Sequence, residues 1–177
     1  MQPQRYDAVA RSLHWASALL IFAAFVMGLT IDSLAREWRP AYLNAHVLTG
    51  VAVVALALAR LAWRAGHAVP APPPGSSALA ILAIKLGHGA LYLMMMLVPL
   101  IGVATLFARG RGVDFGLFQI SSPIERTKEW IGPTTEIHEV AAYVLIALAI
   151  GHAAAAIYHQ VVLKDGVLLR MTPEQRR

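Results

Sequence analysis

Residues 136–160 read EIHEVAAYVLIALAIGHAAAAIYHQ, a stretch apolar enough to cross a bilayer that nevertheless contains three histidines. An α-helix rises about 1.5 Å and turns about 100° per residue. His138 and His152 are therefore separated by about 21 Å along the helix but by only about 40° around it. His159 follows on nearly the same face. The stretch predicts a membrane-spanning helix that carries a column of imidazoles.

The remainder of the chain is also strongly apolar. Of its 177 residues, 58% are hydrophobic and only 14% are charged, far fewer charges than a soluble domain of this length carries. Four stretches contain no Asp, Glu, Lys or Arg: residues 12–31, 40–59, 86–108 and 140–163. Each is long enough to cross about 30 Å of hydrocarbon as a helix. The sequence therefore predicts an all-α membrane protein, with a single four-helix transmembrane domain over residues 1–177 and helices at approximately 10–31, 40–64, 79–107 and 134–162.

Basic residues are concentrated in the N-terminus, the second loop and the C-terminus, which share one side of the membrane if there are four spans. They are Arg5, Arg11, Arg60, Arg64, Lys85, Lys164, Arg170, Arg176 and Arg177. The positive-inside rule places this side, and so both termini, in the cytoplasm. The net charge of +5 then reflects membrane topology, and we expect no nucleic-acid partner.

Membrane depth sorts the histidines into matching sets. With both termini cytoplasmic, His14 begins the first helix on the cytoplasmic side and His46 begins the second on the periplasmic side. His46 then matches His138 near the periplasm, and His14 matches His152 near the cytoplasm. Two imidazoles at one depth on different helices are what a six-coordinate haem iron requires, with one ring on each face of the macrocycle.

The sequence therefore predicts two b-type haems, one held by His14 and His152 and the other by His46 and His138. The absence of cysteine excludes disulfides, iron–sulfur clusters and covalently attached c-type haem. Packing, a zinc or copper site and a proton relay are the alternatives. Polar groups are costly inside a membrane, so several at matched depths favour a function over packing. Four imidazoles split between two depths do not make one tetrahedral metal site. The carboxylates that usually accompany a proton relay are missing from the uncharged stretches.

His88 and His159 lie near the cytoplasmic surface and are candidates for a quinone site. An imidazole can hydrogen-bond a quinone carbonyl and pass on the proton that accompanies reduction. Ser17, one turn after His14, could add a hydroxyl. The alternatives are that both histidines anchor helix ends at the interface and that the serine bonds to its own backbone.

Two connections have distinctive sequences. Residues 69–77 form a proline-rich linker that cannot be helical. Residues 109–134 make the longest loop, which is long enough for a short surface helix or cap. Pro133 and the threonines that follow it predict the start of the fourth helix.

The histidine-bearing segments resemble the bacterial cytochrome b561 family of small four-helix di-haem membrane proteins. These segments are RSLHW (11–15), NAHVLTG (44–50), LGHGALYL (86–93), HEVAAYVLIALAIGHAAAAIYHQ (138–160) and KDGVLLRM (164–171). The resemblance runs nearly end to end. It implies two b haems with the same ligand pairs that depth indicates. It also implies a cytoplasmic-side ubiquinone site near His88 and His159.

Within that family, the similarity is greatest to members that oxidise superoxide and reduce ubiquinone. It implies an enzyme, a superoxide:ubiquinone oxidoreductase, in which electrons from a periplasmic donor cross the membrane to ubiquinone and superoxide becomes O₂. Six basic residues of the outer loops could steer the superoxide anion: Arg36, Arg39, Arg109, Arg111, Arg126 and Lys128. The alternative is an ordinary solvated loop surface, since the same loops carry seven acidic residues. Two other functions stay open. One is an electron-carrier cytochrome b serving a partner dehydrogenase or other redox protein, and the other is a haem-free four-helix transporter or scaffold.

Overall fold

Four long helices make up most of the chain, of which the computed structural model describes residues 5–73 and 75–172. The helices are α1 (Ala8–Thr30), α2 (Arg39–Gly66), α3 (Ala78–Ala108) and α4 (Lys128–Tyr158). Short 3-10 turns lie at Ile31–Ser33 and Leu168–Met171, and a π-turn at His159–Leu163 extends α4. Each of the four helices is long and apolar enough to cross a membrane. The predicted four-helix membrane bundle is therefore confirmed.

Side-chain caps fix the starts of two helices. Asp7 precedes α1, and its carboxylate accepts a hydrogen bond from the Ala10 N–H (2.9 Å). Ser77 precedes α3, and its hydroxyl accepts from the Ala80 N–H (3.2 Å). Each cap satisfies a backbone donor that has no partner within the helix. Both caps lie at the end of the bundle that carries the termini.

The fourth helix begins at Lys128, six residues earlier than Pro133 and its following threonines predict. Pro133 lies within the helix rather than at its start, where it removes one backbone donor. The hydroxyls of Thr134 and Thr135 donate to the carbonyls of Trp130 and Ile131, each at 2.6 Å. The backbone bond lost at Pro133 is the one to the Glu129 carbonyl in the first turn, so the helix continues through the proline with one bond fewer.

The bundle core is small, and most of the large apolar side chains face outwards. Ile21, Val53, Met95 and Leu145 are buried where the four helices meet. The outer faces carry many exposed apolar residues, of which Leu79 is 75% exposed. An exposed apolar surface on every helix is what a bundle surrounded by lipid presents.

The loop between α3 and α4 forms a small hairpin instead of the expected surface helix or cap. Its strands are β1 (Val113–Asp114) and β2 (Gln119–Ile120), which pair antiparallel. Gly112 lies so close to the carbonyl of Ile120 that no side chain would fit there. The side chain of Asn44 donates to the Asp114 carbonyl (2.9 Å) and accepts from the Asp114 N–H (3.3 Å). These two hydrogen bonds fasten the hairpin to the first turns of α2.

The opposite end of the bundle gathers both terminal segments and the second loop. The Tyr6 N–H donates to the Arg170 carbonyl (3.1 Å), and the Trp15 indole donates to the Met171 carbonyl (2.8 Å). The Arg170 guanidinium donates in turn to the carbonyl of Ala71 in the second loop (2.6 Å). These contacts place the two terminal segments at one end, as an even number of spans requires. Two of the basic residues that the sequence assigns to this side, Arg176 and Arg177, lie outside the described residues.

Candidate functional site

Two pairs of histidines face each other between helices. His46 of α2 and His138 of α4 form the hairpin-end pair, with ring centres 6.0 Å apart and ring planes at 85°. His14 of α1 and His152 of α4 form the terminus-end pair, with ring centres 6.1 Å apart and planes at 60°. The structure thus brings together the same two pairs that membrane depth indicates, at opposite ends of the bundle.

The spacing within each pair fits a metal ion held between two imidazoles. A transition metal bound at about 2 Å from each nitrogen separates the two ring centres by about 6 Å. Among the described residues, no group of three or more His, Cys, Asp or Glu side chains is placed to hold a metal ion. Two-ligand sites suit haem iron, whose other four ligands come from the macrocycle, better than tetrahedral zinc.

Hydrogen bonds set the chemistry of the hairpin-end pair. Nδ1 of His138 lies 3.0 Å from the carbonyl oxygen of Val98 in α3. A carbonyl can only accept, so this nitrogen carries the hydrogen and Nε2 keeps its lone pair for a metal. Nδ1 of His46 is buried without a hydrogen-bond partner among the described residues.

Glycines leave room around the same two rings. A Cβ added to Gly102 in α3 would lie 2.9 Å from Cε1 of His138, closer than real Cβ atoms approach. A Cβ added to Gly28 in α1 would lie 3.5 Å from Cε1 of His46. Sequence reasoning missed both glycines because they lie on helices other than those of the rings they face. Gly50, one turn after His46, instead faces the ring of Pro99.

An arginine contacts one histidine of the terminus-end pair. Nη2 of Arg60 lies 3.3 Å from Nδ1 of His14, and its guanidinium lies 5.1 Å from the ring centre of Tyr92. Arginine can only donate, so Nδ1 of His14 accepts and Nε2 carries the hydrogen. Metal binding through Nε2 therefore requires this contact to break, which would free the guanidinium for an anionic group.

The three quinone candidates do not share one contact network. The ring of His88 lies 5.2 Å from that of His152, and its Nδ1–H donates to the Ile84 carbonyl (2.8 Å). His159 instead contacts Asp165, with Nδ1 and Oδ2 2.5 Å apart. Ser17 is buried and donates to the Leu13 carbonyl of its own helix (2.7 Å). The Ser17 hydroxyl is therefore not presented to a ligand at the bundle surface. Asp165 is a partner of His159 that sequence reasoning missed.

Three arginines cluster beside the hairpin. The Thr127 N–H donates to the Ala108 carbonyl (2.9 Å), which folds the end of the loop back against the end of α3. Cβ of Arg126 then lies 3.2 Å from the position that a Cβ on Gly110 would take. Arg126 is thereby brought beside Arg109 and Arg111, and all three side chains are exposed. The basic residue Arg39 is paired with Asp32 (3.7 Å) and contributes less free charge.

Comparisons with known proteins agree over nearly the whole chain. A family model described as prokaryotic cytochrome b561 matches residues 5–174. Cytochrome b562 of Cereibacter sphaeroides is 34% identical over 178 residues, covering 96% of each chain. "Probable superoxide oxidase CybB" of Yersinia pestis is 29% identical over 175 residues, covering 98% of each chain. Cytochrome b561 homolog 2 of Escherichia coli K12 is 27% identical over 172 residues, covering 96% of this chain and 92% of the relative.

Proposed function

Because the chain belongs to the prokaryotic cytochrome b561 family, as its motifs predict, we propose that it is a di-haem b-type cytochrome that carries electrons across the bacterial inner membrane to ubiquinone. The electrons come from a periplasmic donor, superoxide, which is oxidised to O₂. His46 and His138 hold one haem, and His14 and His152 hold the other. Both termini lie in the cytoplasm, so the hairpin-end pair lies near the periplasm.

The observation that carries this proposal is the presence of two facing imidazole pairs in one membrane bundle, each with ring centres about 6 Å apart. The pairs lie at opposite ends of α4 on one face of that helix, so together they span most of the apolar layer. When bound, the haems supply one-electron redox chemistry.

The protein's own groups orient and neutralise such a cofactor. The Val98 carbonyl holds the His138 ring with Nε2 free, and Gly102 leaves that ring its place. Arg60, once released from His14, supplies a positive charge for a carboxylate of the macrocycle, with Arg64 one turn further along α2. The apolar core excludes water between the two pairs.

Superoxide is favoured as the donor by the arginine cluster of Arg109, Arg111 and Arg126. A local concentration of positive charge raises the encounter rate of a small anion. The overall reaction balances when two superoxide anions lose one electron each and one ubiquinone takes up two electrons and two protons. Two O₂ molecules and one ubiquinol are then produced.

A second candidate function is electron carriage from a partner protein, and the hairpin tip favours it. Leu117 is 98% exposed and Phe118 is 59% exposed, next to the stacked ring of Phe115. A projecting apolar tip above the hairpin-end pair would suit a docked redox protein. The names of the relatives include both cytochromes and a probable superoxide oxidase, and so do not decide between the two functions.

A reduced-minus-oxidised spectrum of purified protein, combined with a haem-to-protein ratio, tests the cofactor proposal. We expect a b-type spectrum and two haems per chain. A colourless preparation would instead support the haem-free transporter or scaffold, and one haem per chain would contradict the double-pair assignment.

Rapid mixing with superoxide tests the donor. We expect fast haem reduction by superoxide alone, followed by ubiquinol formation when ubiquinone is supplied. Slow reduction by superoxide, together with copurification of a redox protein, would favour the electron-carrier function.

A further inference from the structure

A sharp reversal of the chain follows α4. The π-turn over His159–Leu163 is followed by Lys164 in the left-handed conformation (φ 55°), which non-glycine residues seldom adopt. The Asp165 N–H then donates back to the His159 carbonyl (3.3 Å). This reversal returns the Asp165 carboxylate to the His159 ring, with Oδ2 2.5 Å from Nδ1. π-turns inside helices are often found at functional sites.

The contact fixes which nitrogen of His159 carries hydrogen. An ionised carboxylate only accepts, so Nδ1–H donates to Oδ2, and Nε2 is left to meet a ligand. Burial raises the pKa of the Asp165 carboxyl, but hydrogen bonds from His159 and the Val167 N–H outweigh it and leave this pKa below its ordinary value. Asp165 is therefore a carboxylate at neutral pH. The His159 side chain keeps 31% of its surface exposed, so it is accessible from outside the protein.

We propose that Asp165 is a positioning residue: it holds the ring of His159, which the family resemblance places near the quinone, so that Nε2 can pass a proton to the ubiquinone reduced at this end of the bundle. This inference rests on the proposed function. Oxidation of superoxide to O₂ releases an electron but no proton, so both protons of the ubiquinol must come from solvent through the protein. The segment that follows α4 holds an exposed imidazole against a carboxylate, and such a pair is suited to supply these protons.

The proton step follows from the observed tautomer. Charged His159 carries hydrogen on both nitrogens, and its Nε2–H bond breaks as the proton passes to a ubiquinone oxygen that has gained negative charge. The neutral ring left behind keeps Nδ1–H on Asp165, which is the arrangement in the structure. A proton from solvent on Nε2 restores the charged ring for the second transfer.

Three other polar or charged side chains lie near the pair. Arg170 acts on Asp165, and Lys164 precedes it in the chain. The ring of Tyr158 lies 6.4 Å from that of His159. The Asp165 carboxylate is the group in hydrogen-bond contact with the His159 ring, so it sets the orientation of that ring.

The test compares Asp165→Asn with the wild type in the haem-loaded protein. Asparagine has the same size but no charge. The measured quantity is the rate at which a short-chain ubiquinone reoxidises chemically reduced protein between about pH 6 and pH 9. At neutral pH we expect this rate to fall by about tenfold or more. We also expect the dependence of this rate on pH to differ from that of the wild type, because the proton is delivered through the ring that Asp165 orients. Asp7→Asn is the matched control, since it removes a carboxylate at the same end and asparagine still caps α1.

Each outcome of the test has a separate meaning. If the wild type does not reduce ubiquinone, the proposed function fails. If the wild type reduces it and Asp165→Asn matches both its rate and its pH profile, the role of Asp165 is wrong. If Asp165→Asn loses haem, His159→Gln decides instead. An unchanged rate and pH profile in that variant would overturn the proton-donor role, whereas a slow rate that no longer depends on pH would support it. A rate restored by Asp165→Glu would also support the proposal.

Discussion

A glycine and a backbone carbonyl on α3 determine where the His138 ring lies. The Val98 carbonyl accepts from Nδ1, and one turn later Gly102 leaves the space that Cε1 needs. Neither residue would be a ligand. Both act on the position of the ligand, which must point its free nitrogen at the metal within a narrow range of angles. The hairpin-end site therefore depends on three helices, although only α2 and α4 supply its imidazoles.

Replacing Gly102 by alanine tests this dependence. The added Cβ would lie 2.9 Å from Cε1 of His138, so the ring must shift and its bond to the Val98 carbonyl must weaken. We expect the haem content to fall from two per chain towards about one, measured by the pyridine haemochrome ratio. Gly89→Ala is the matched control on α3, because no atom beyond its own stretch of helix lies within 4 Å of its added Cβ. Two haems in Gly102→Ala would show that the ring can move without loss of binding.

Replacing His152 by alanine tests the terminus-end pair. His152 lies 14 residues from His138, or about 21 Å along the helix, so its loss should leave the hairpin-end site intact. We expect one haem per chain and a simpler reduced-minus-oxidised spectrum. His67→Ala should keep both haems, because this ring stacks on Trp63 (3.8 Å) away from both pairs. Loss of neither haem in His152→Ala would refute the pairing.

At the scale of elements, the long helices are predictable from charge alone, and the shorter features are not. Uncharged runs indicate the helices because each charge in a membrane span is expensive. The early start of α4 is hidden by Pro133, because a proline is common in the first turn of a helix and so indicates a start close to its own position. The two-residue strands are too short to show alternation. The contact between His159 and Asp165 depends on the left-handed conformation of Lys164. The sequence does not indicate this conformation, because glycine, which adopts it most readily, is not the residue at this position.

The loop around the hairpin permits a test of anion steering. Arg126 lies against Gly110, which brings its backbone next to that of Arg111. We expect Arg126→Gln to slow haem reduction by superoxide about twofold to fivefold at low ionic strength. The difference should shrink as salt is added, because salt screens exposed charges. Lys85→Gln removes one exposed charge at the other end of the bundle and should leave this rate unchanged. Equal rates in all three proteins at low salt would exclude steering by this cluster.

Over the whole molecule, the two ends of the bundle differ in construction. One end joins both terminal segments to the second loop through Arg170 and Trp15, and it holds the contact between His159 and Asp165. The other end carries the hairpin and the arginine cluster. A donor captured at one end and a quinone protonated at the other require these ends to face different compartments. The direction of electron flow therefore depends on membrane orientation.

The absence of cysteine from the sequence makes that orientation directly measurable. Single cysteines introduced as Leu117→Cys and Ala68→Cys occupy exposed positions at the hairpin end and in the second loop. With both termini cytoplasmic, a membrane-impermeant maleimide should label Leu117→Cys in intact spheroplasts and Ala68→Cys only after the membrane is opened. The unsubstituted chain provides a control without background labelling. The opposite pattern would place the arginine cluster in the cytoplasm, where periplasmic superoxide cannot reach it. Steering by the arginines and proton delivery from the cytoplasm would then both be wrong, even if two haems were bound.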